Sequence, residues 1–125
     1  MNNASRLNLV VLRVADIERA AAFYGLLGLR FERHAHGSGP VHYACEDGGV
    51  VFELYPATAE MPVSMSARVG FAVADVDAAV AALGAVAGAR VVSAAKGSEW
   101  GRRAVVADPD GHRVELTAWA DGSSS

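Results

Sequence analysis

The chain states nearly the same pattern twice. Val14-Ala15-Asp16 opens an Ala-rich stretch, and Val73-Ala74-Asp75, its aspartate 59 positions further on, opens another. Glu53-Leu54 closes the first half and returns 62 positions later as Glu115-Leu116. A fixed self-similarity dictates architecture, because each copy is one supersecondary unit that needs a neighbour to bury its apolar face. The repeat also puts two carboxylates at equivalent places in two related units, where they are candidates to converge on one site.

Within the first copy, Leu7 to Val14 is dense in Leu and Val and reads as a buried strand. Asp16 stands where a helix N-cap belongs, Ile17, Ala20, Ala21, Tyr24 and Leu27 recur at helical spacing, and Gly28 stops the run. Leu29 to Arg33 and Val41 to Cys45 read as strands. Asp47-Gly48-Gly49 is a hairpin turn into Val50 to Tyr55. Pro56 to Ala67 has no consistent period and is read as a linker. The order then recurs: strand Arg68 to Val73, a helix capped by Asp75 and running to about Ala87, strand Ala89 to Ala95, loop Gly97 to Gly101, strand Arg102 to Ala107, turn Asp108-Pro-Asp-Gly111 and strand His112 to Ala118. One domain over residues 1–125 is expected, made of a βαβββ module at 7–56 and a second at 67–118.

Each such sheet lays one apolar face on its own helix, and the other face also needs cover. Curving the two mixed sheets toward each other, in an α+β fold, encloses a central cavity. Alternation along each strand assigns the faces. Val10, Leu12 and Val14, then Val50, Phe52 and Leu54, Val69 and Phe71, and Val114 and Leu116 form the helix-facing layer. Leu7, Leu9, Val11, Val51, Glu53, Tyr55, Arg68, Glu115 and Thr117 are left to face the hollow.

Composition narrows the function. Hydrophobic residues make up 52% of 125, enough for a real core, and the net charge of −3 argues against nucleic acid, whose phosphates call for a basic face. No apolar stretch approaches the roughly 20 residues that span a bilayer, so no membrane partner is expected. Met1 to Ser5 lack the apolar run of a secretory leader. The one cysteine, Cys45, excludes an internal disulfide, fits a reducing cytoplasm and reads as a buried structural thiol. The tail Asp121 to Ser125 is expected to fray.

Several motifs together resemble the vicinal oxygen chelate superfamily, which includes glyoxalase I, bleomycin-resistance and fosfomycin-resistance proteins and extradiol dioxygenases. They are Val14-Ala-Asp16 with Phe23-Tyr24 and Leu27-Gly28-Leu29, and then Val73-Ala-Asp75, Trp100-Gly101-Arg102 and Asp108-Pro-Asp-Gly-His-Arg-Val-Glu-Leu116. The resemblance covers residues 7 to 118 and implies the glyoxalase/bleomycin resistance-like fold. It leaves the reaction open, because a scaffold is not an activity.

The resemblance also implies a ligand set. The superfamily's metalloenzymes take His, Glu or Gln at four equivalent strand positions: seven residues before each capping aspartate, and at the glutamate of each closing strand. Here those positions are Leu9, Glu53, Arg68 and Glu115. Leu9 has no donor atom and Arg68 is a permanent cation. No cofactor and no metal are therefore expected, with Arg68 bridging Glu53 and Glu115 by its planar fork in place of the ion. Should a divalent metal be bound, Glu53 and Glu115 are its ligands.

His34, His36, His42 and His112 are the remaining candidates for metal ligands. His112 reads as an exposed strand-end residue, His36 as solvated in a Gly-rich loop, and His42 as a candidate for the pocket wall. Glu99, Arg102 and Arg103 read as a solvated loop and strand face. Trp100 is either a lid on its own sheet or a ligand contact. The reading that follows is a homodimeric protein that sequesters a small molecule, with Leu9, Val11, His42, Glu53, Tyr55, Arg68, Trp100 and Glu115 as ligand-binding residues. The alternatives are a metal-dependent glyoxalase I-type lyase or dioxygenase-like enzyme with Glu53 and Glu115 catalytic, and a structural or interaction module.

Overall fold

Both repeated aspartates cap helices in the computed structural model, which describes residues 4–119; the tail Asp121 to Ser125 lies outside the described residues. Asp16, in an extended conformation, accepts from the backbone N–H of Glu18 at 3.0 Å and of Arg19 at 3.1 Å. Asp75 accepts from Ala78 N–H at 3.0 Å. These bonds satisfy donors that the first helical turn leaves free. The elements run β1 (Leu9–Val14), α1 (Ile17–Gly25), β2 (Glu32–His34), β3 (His42–Asp47), β4 (Val50–Pro56), β5 (Arg68–Ala72), α2 (Val76–Gly84), β6 (Arg90–Ser98), β7 (Gly101–Ala107) and β8 (Arg113–Trp119).

Each half makes one mixed four-stranded sheet, ordered β1-β4-β3-β2 and β5-β8-β7-β6. The crossover helices set β1 parallel to β4 and β5 parallel to β8, and the other neighbours are antiparallel hairpin partners. Asp47 pairs with Val50, so the first hairpin turns on Gly48 and Gly49 alone, at φ +59° and +90°. Only a primed turn does this, and glycine enters it without strain. Three boundaries depart from the sequence reading by as much as three residues. Leu29 and Phe31 pack on the core in irregular backbone, and β2 begins only at Glu32. Helix α2 ends at Gly84, three residues early, where a side chain would meet Val91 at 3.3 Å. Strand β6 runs on to Ser98, which pairs with Gly101 and shortens the expected loop to a tight hairpin.

The alternation of faces holds. Leu12, Val14, Phe52, Leu54, Val114 and Leu116 are buried with α1 and α2 residues in a single cluster drawn from both halves. Tyr24 stands at its centre, edge-on to Phe23 at 4.9 Å and to Phe52 at 5.3 Å, with Phe71 of the other sheet 6.0 Å away. The apolar layers of the two halves thus merge on the helix side.

A polar clasp locks that merger. The β7–β8 turn reaches across to α1: the Tyr24 hydroxyl donates to Asp108 Oδ2 at 2.6 Å, and Asp110 accepts from Ala15 N–H at 3.3 Å and pairs with Arg19 at 3.5 Å. Asp108 also accepts from the backbone N–H of Asp110 and of His112, both at 2.9 Å, and lies 2.8 Å from His112 Nδ1. His112 is therefore not the exposed strand-end residue expected from alternation. It is 1% exposed, sealed under the turn, and its Nε2 has no hydrogen-bond partner among the described residues. Burial disfavours the charge on both Asp108 and His112. Their mutual hydrogen bond and charge, with the Tyr24 bond to Asp108, more than offset it, so Asp108 sits below its ordinary 3.8 and His112 above its ordinary 6.5. Burial and the Asp108 carboxylate push the Tyr24 hydroxyl far above its ordinary range.

Removing one donor from a buried carboxylate costs more than an average hydrogen bond. Tyr24→Phe is expected to lower unfolding free energy by about 1.5–3 kcal/mol, read as a lower urea midpoint at unchanged slope. The pair also sets a pH window. Asp108 contributes stability that is complete above its ordinary 3.8 and is lost as pH falls through its lower folded value. The His112 contribution is complete below its ordinary 6.5 and is lost as pH rises through its higher folded value. Urea midpoints are expected to fall on both sides of that interval, and His112→Asn to remove the alkaline limb.

Candidate functional site

The face of the first sheet turned away from α1 carries a row of rings. Register sets Arg13 beside Tyr55 and His34 beside His42. The Arg13 guanidinium lies 4.9 Å from the Tyr55 ring centre, the Tyr55 and His42 rings stack at 4.2 Å and 7°, and His42 and His34 at 5.5 Å and 15°. Tyr55 and His42 thus cover one another's faces in a stack. Two residues along, Val11, Glu53, Ala44 and Glu32 make the parallel row across β1, β4, β3 and β2.

From these rows His34, His42, Glu32, Ala44 and Glu53 wall an open pocket of about 560 Å³, which also takes in Arg30, His36, Glu46 and Val51. That volume is in the range of small-molecule sites. His42 is buried at its floor, and its Nδ1 faces the Pro40 carbonyl at 3.2 Å. A carbonyl only accepts, so Nδ1 carries the proton. In the neutral ring the Nε2 lone pair is then directed into the pocket, 3.9 Å from Glu53 Oε2.

The two glutamates of the repeat have separate surroundings. Among the described residues, every one lining the Glu53 pocket belongs to the first sheet or to the segments flanking β2, and none comes from the second sheet. Leu9 and Val11 on the same face stay 49% and 38% exposed. Glu115 is gripped instead by Arg103, through both Nε and Nη2. Arg103 pairs with Thr117 across β7 and β8, which puts it on the Glu115 face. Sequence reading left Arg103 among solvated residues because that pairing depends on a register set by the Asp108 turn.

Arg68 does not bridge the glutamates. It borders an apolar pocket of about 390 Å³ at the seam between the halves, with Leu7, Asp47, Phe52 and Phe71, and among the described residues it pairs with no carboxylate. The reason is positional: Gly70, not Arg68, is the β5 neighbour of Glu115. Arg102 holds Asp77 of α2 through two bonds of 2.7 and 3.0 Å, so it too is not simply solvated. Trp100 is 74% exposed beside a shallow apolar recess with Arg103 and Thr117, and it does not pack as a lid on its own sheet. Cys45 is buried, as read, and burial pushes its thiol up, away from nucleophilic use.

A metal at the superfamily's four strand positions would meet Leu9, which offers no donor, and Arg68, a cation. The Glu115 carboxylate is already neutralised by Arg103. These residues do not fit an ion in that geometry.

The glyoxalase-like domain model matches residues 9–117. No curated protein matches the chain. Among solved structures, TnmS3, an antibiotic binding protein from Streptomyces sp. CB03234, is 27% identical, with 96% of this chain and all of that one covered and a TM-score of 0.70. TioX from Micromonospora sp. ML1 is 26% identical over 90% of this chain and 98% of that one, with a TM-score of 0.68. A glyoxalase-related enzyme from Fulvimarina pelagi, 22% identical over 98% of each chain with a TM-score of 0.71, shares the fold. With nearly its whole length matched, from the first strand to the last, the chain belongs to the glyoxalase-like domain family of the vicinal oxygen chelate superfamily.

Proposed function

We propose that this protein binds and sequesters a small, planar organic molecule, with no metal at the four superfamily positions. One observation carries the reading: an open pocket of about 560 Å³ with the His42 ring, held in a stack on Tyr55, at its floor and polar groups arranged around Glu53. Such a pocket offers imidazole and apolar surface from His34, His42 and Val51 with a few convergent polar anchors, which is how ligand sites gain both affinity and orientation. The likeness to an antibiotic-binding protein supports a ligand of that kind. Leu9 and Val11 extend the wall as exposed apolar surface, and a second copy of the chain laid over them completes the enclosure as a homodimer.

The ligand test is calorimetric titration with a panel of planar aromatic antibiotics, in the presence of a metal chelator. At least one compound is expected to bind, and Tyr55→Ala, which removes the ring that holds His42 in place, to weaken it about 2–10-fold, the worth of one aromatic pair. Absence of binding across the panel, or turnover of the compound, would count against sequestration. For the assembly, light scattering is expected to give twice the chain mass, and Val11→Glu, which buries a charge at the seam, to give the single-chain mass.

A further inference from the structure

The most buried carboxylate of the first-sheet pocket has no donor to answer it. The Glu53 side chain is 20% exposed, and it accepts no hydrogen bond among the described residues. Across from it stands His42 Nε2, 3.9 Å away, on a side chain that is 8% exposed. That nitrogen is also without a hydrogen-bond partner among the described residues, since the Pro40 carbonyl holds the ring proton on Nδ1. Two acceptors thus face one another on the floor of the pocket. A carboxylate withdrawn from water costs free energy unless a cation or a set of donors meets it. Given the sequestration reading above, on which this rests, we propose that the ligand is a nitrogenous organic cation whose N–H groups sit between Glu53 Oε2 and His42 Nε2. Amidinium, guanidinium and protonated amine groups have that chemistry. A nitrogen about 2.9 Å from each of two acceptors 3.9 Å apart sees them at about 85°, within reach of two N–H bonds on one such group. A ligand carbonyl or carboxylate placed there would meet lone pairs instead, so neutral acceptors and anions are turned away.

Both acceptors are held where they are. Tyr55 stacks on the His42 ring at 4.2 Å. The loop that brings Pro40 to that ring is folded back by Gly37, at φ +55°, and by a 2.9 Å bond from Gly39 N–H to His36 O. Glu53 stands in the middle of β4, between Val11 of β1 and Ala44 of β3. Acceptors that cannot turn away from one another are preorganised for the donor that joins them. The rest of the lining carries the same sign. Glu32 and Glu46 join Glu53 against Arg30, so three carboxylates share the pocket with one guanidinium. A concave wall of that balance draws a cation in from solution. Ala44 and Val51 lie beside Glu53 and offer apolar contact to the carbon body of an organic cation, which a bare inorganic ion does not use.

The test is calorimetric titration of the full chain, at neutral pH and in chelator, with benzamidine, benzamide and benzoate. These probes share one ring and differ in charge. Benzamidine is expected to bind about tenfold or more tighter than benzamide, the worth of a charge-assisted bond over a neutral one, and benzoate not to saturate. Glu53→Gln keeps the shape of the side chain and removes its charge. It is expected to bring benzamidine to within about threefold of benzamide and to keep or raise the urea midpoint, because the carboxylate has no partner of its own to lose. Three outcomes would overturn the proposal: benzamidine no tighter than benzamide, a preference that survives Glu53→Gln, or a urea midpoint lowered by Glu53→Gln. The last would make the carboxylate a structural partner of His42. Neutral or anionic antibiotics of the panel that bind while benzamidine does not overturn the cation alone. A panel without binders beside a charge-selective benzamidine site overturns antibiotic sequestration alone.

Discussion

Asp108 is a carboxylate at 2% exposure, and taking such a charge out of water costs several kcal/mol unless donors surround it. It has four: the Tyr24 hydroxyl, His112 Nδ1, and the backbone N–H groups of Asp110 and His112. Three come from its own turn, and the fourth comes from the helix of the other half. The two sheets are therefore not free to slide over one another. Any displacement that pulled Tyr24 off Asp108 would leave a buried charge short of a donor and would open the ring cluster of Tyr24, Phe52 and Phe71 at the same time. The position of the pocket follows from this, because β4 carries Phe52 into that cluster on one face and Val51 and Glu53 into the pocket on the other.

Local signals carried the architecture well. The repeated Asp16 and Asp75 announced helix starts because N-capping is a contact over three residues. Strand alternation announced which sets would be buried because a strand's faces are fixed by its own backbone. The misreadings all needed partners far along the chain. His112 was read as exposed because alternation knows only its own strand, whereas its cover comes from α1. Arg103 was read as solvated and Arg68 as the bridging cation because the choice between them is a matter of cross-strand register in the second sheet. His42 was a candidate for the pocket wall, but the Tyr55 stack and the folding back of His36 depend on loop geometry that spacing does not encode.

The repeat is also unequal in its chemistry. Val11 stands beside Glu53 where Gly70 stands beside Glu115, and His42 approaches one carboxylate where Arg103 grips the other. A permanent cation bound through two nitrogens closes a site, whereas an imidazole with a free lone pair leaves one open. Among the described residues Glu53 thus has only an imidazole near it, whereas Glu115 is held by a permanent cation. Only the shared scaffold of the two halves is symmetric.

That inequality extends to the seam. The position 59 residues after Tyr24 is Leu83, buried but without a hydroxyl to donate. The residue that answers Asp108 in the first sheet, 62 positions earlier, is Glu46, and its carboxylate folds back to accept from Gly49 N–H at 2.9 Å. The grip runs one way, from the second half's turn onto the first half's helix. A first half made alone would carry a buried tyrosine hydroxyl with nothing to receive its proton, and two first halves could not supply one another. The fusion of the halves into one chain is therefore no longer a convenience of linkage: each half has specialised past the point where it could pair with its own kind.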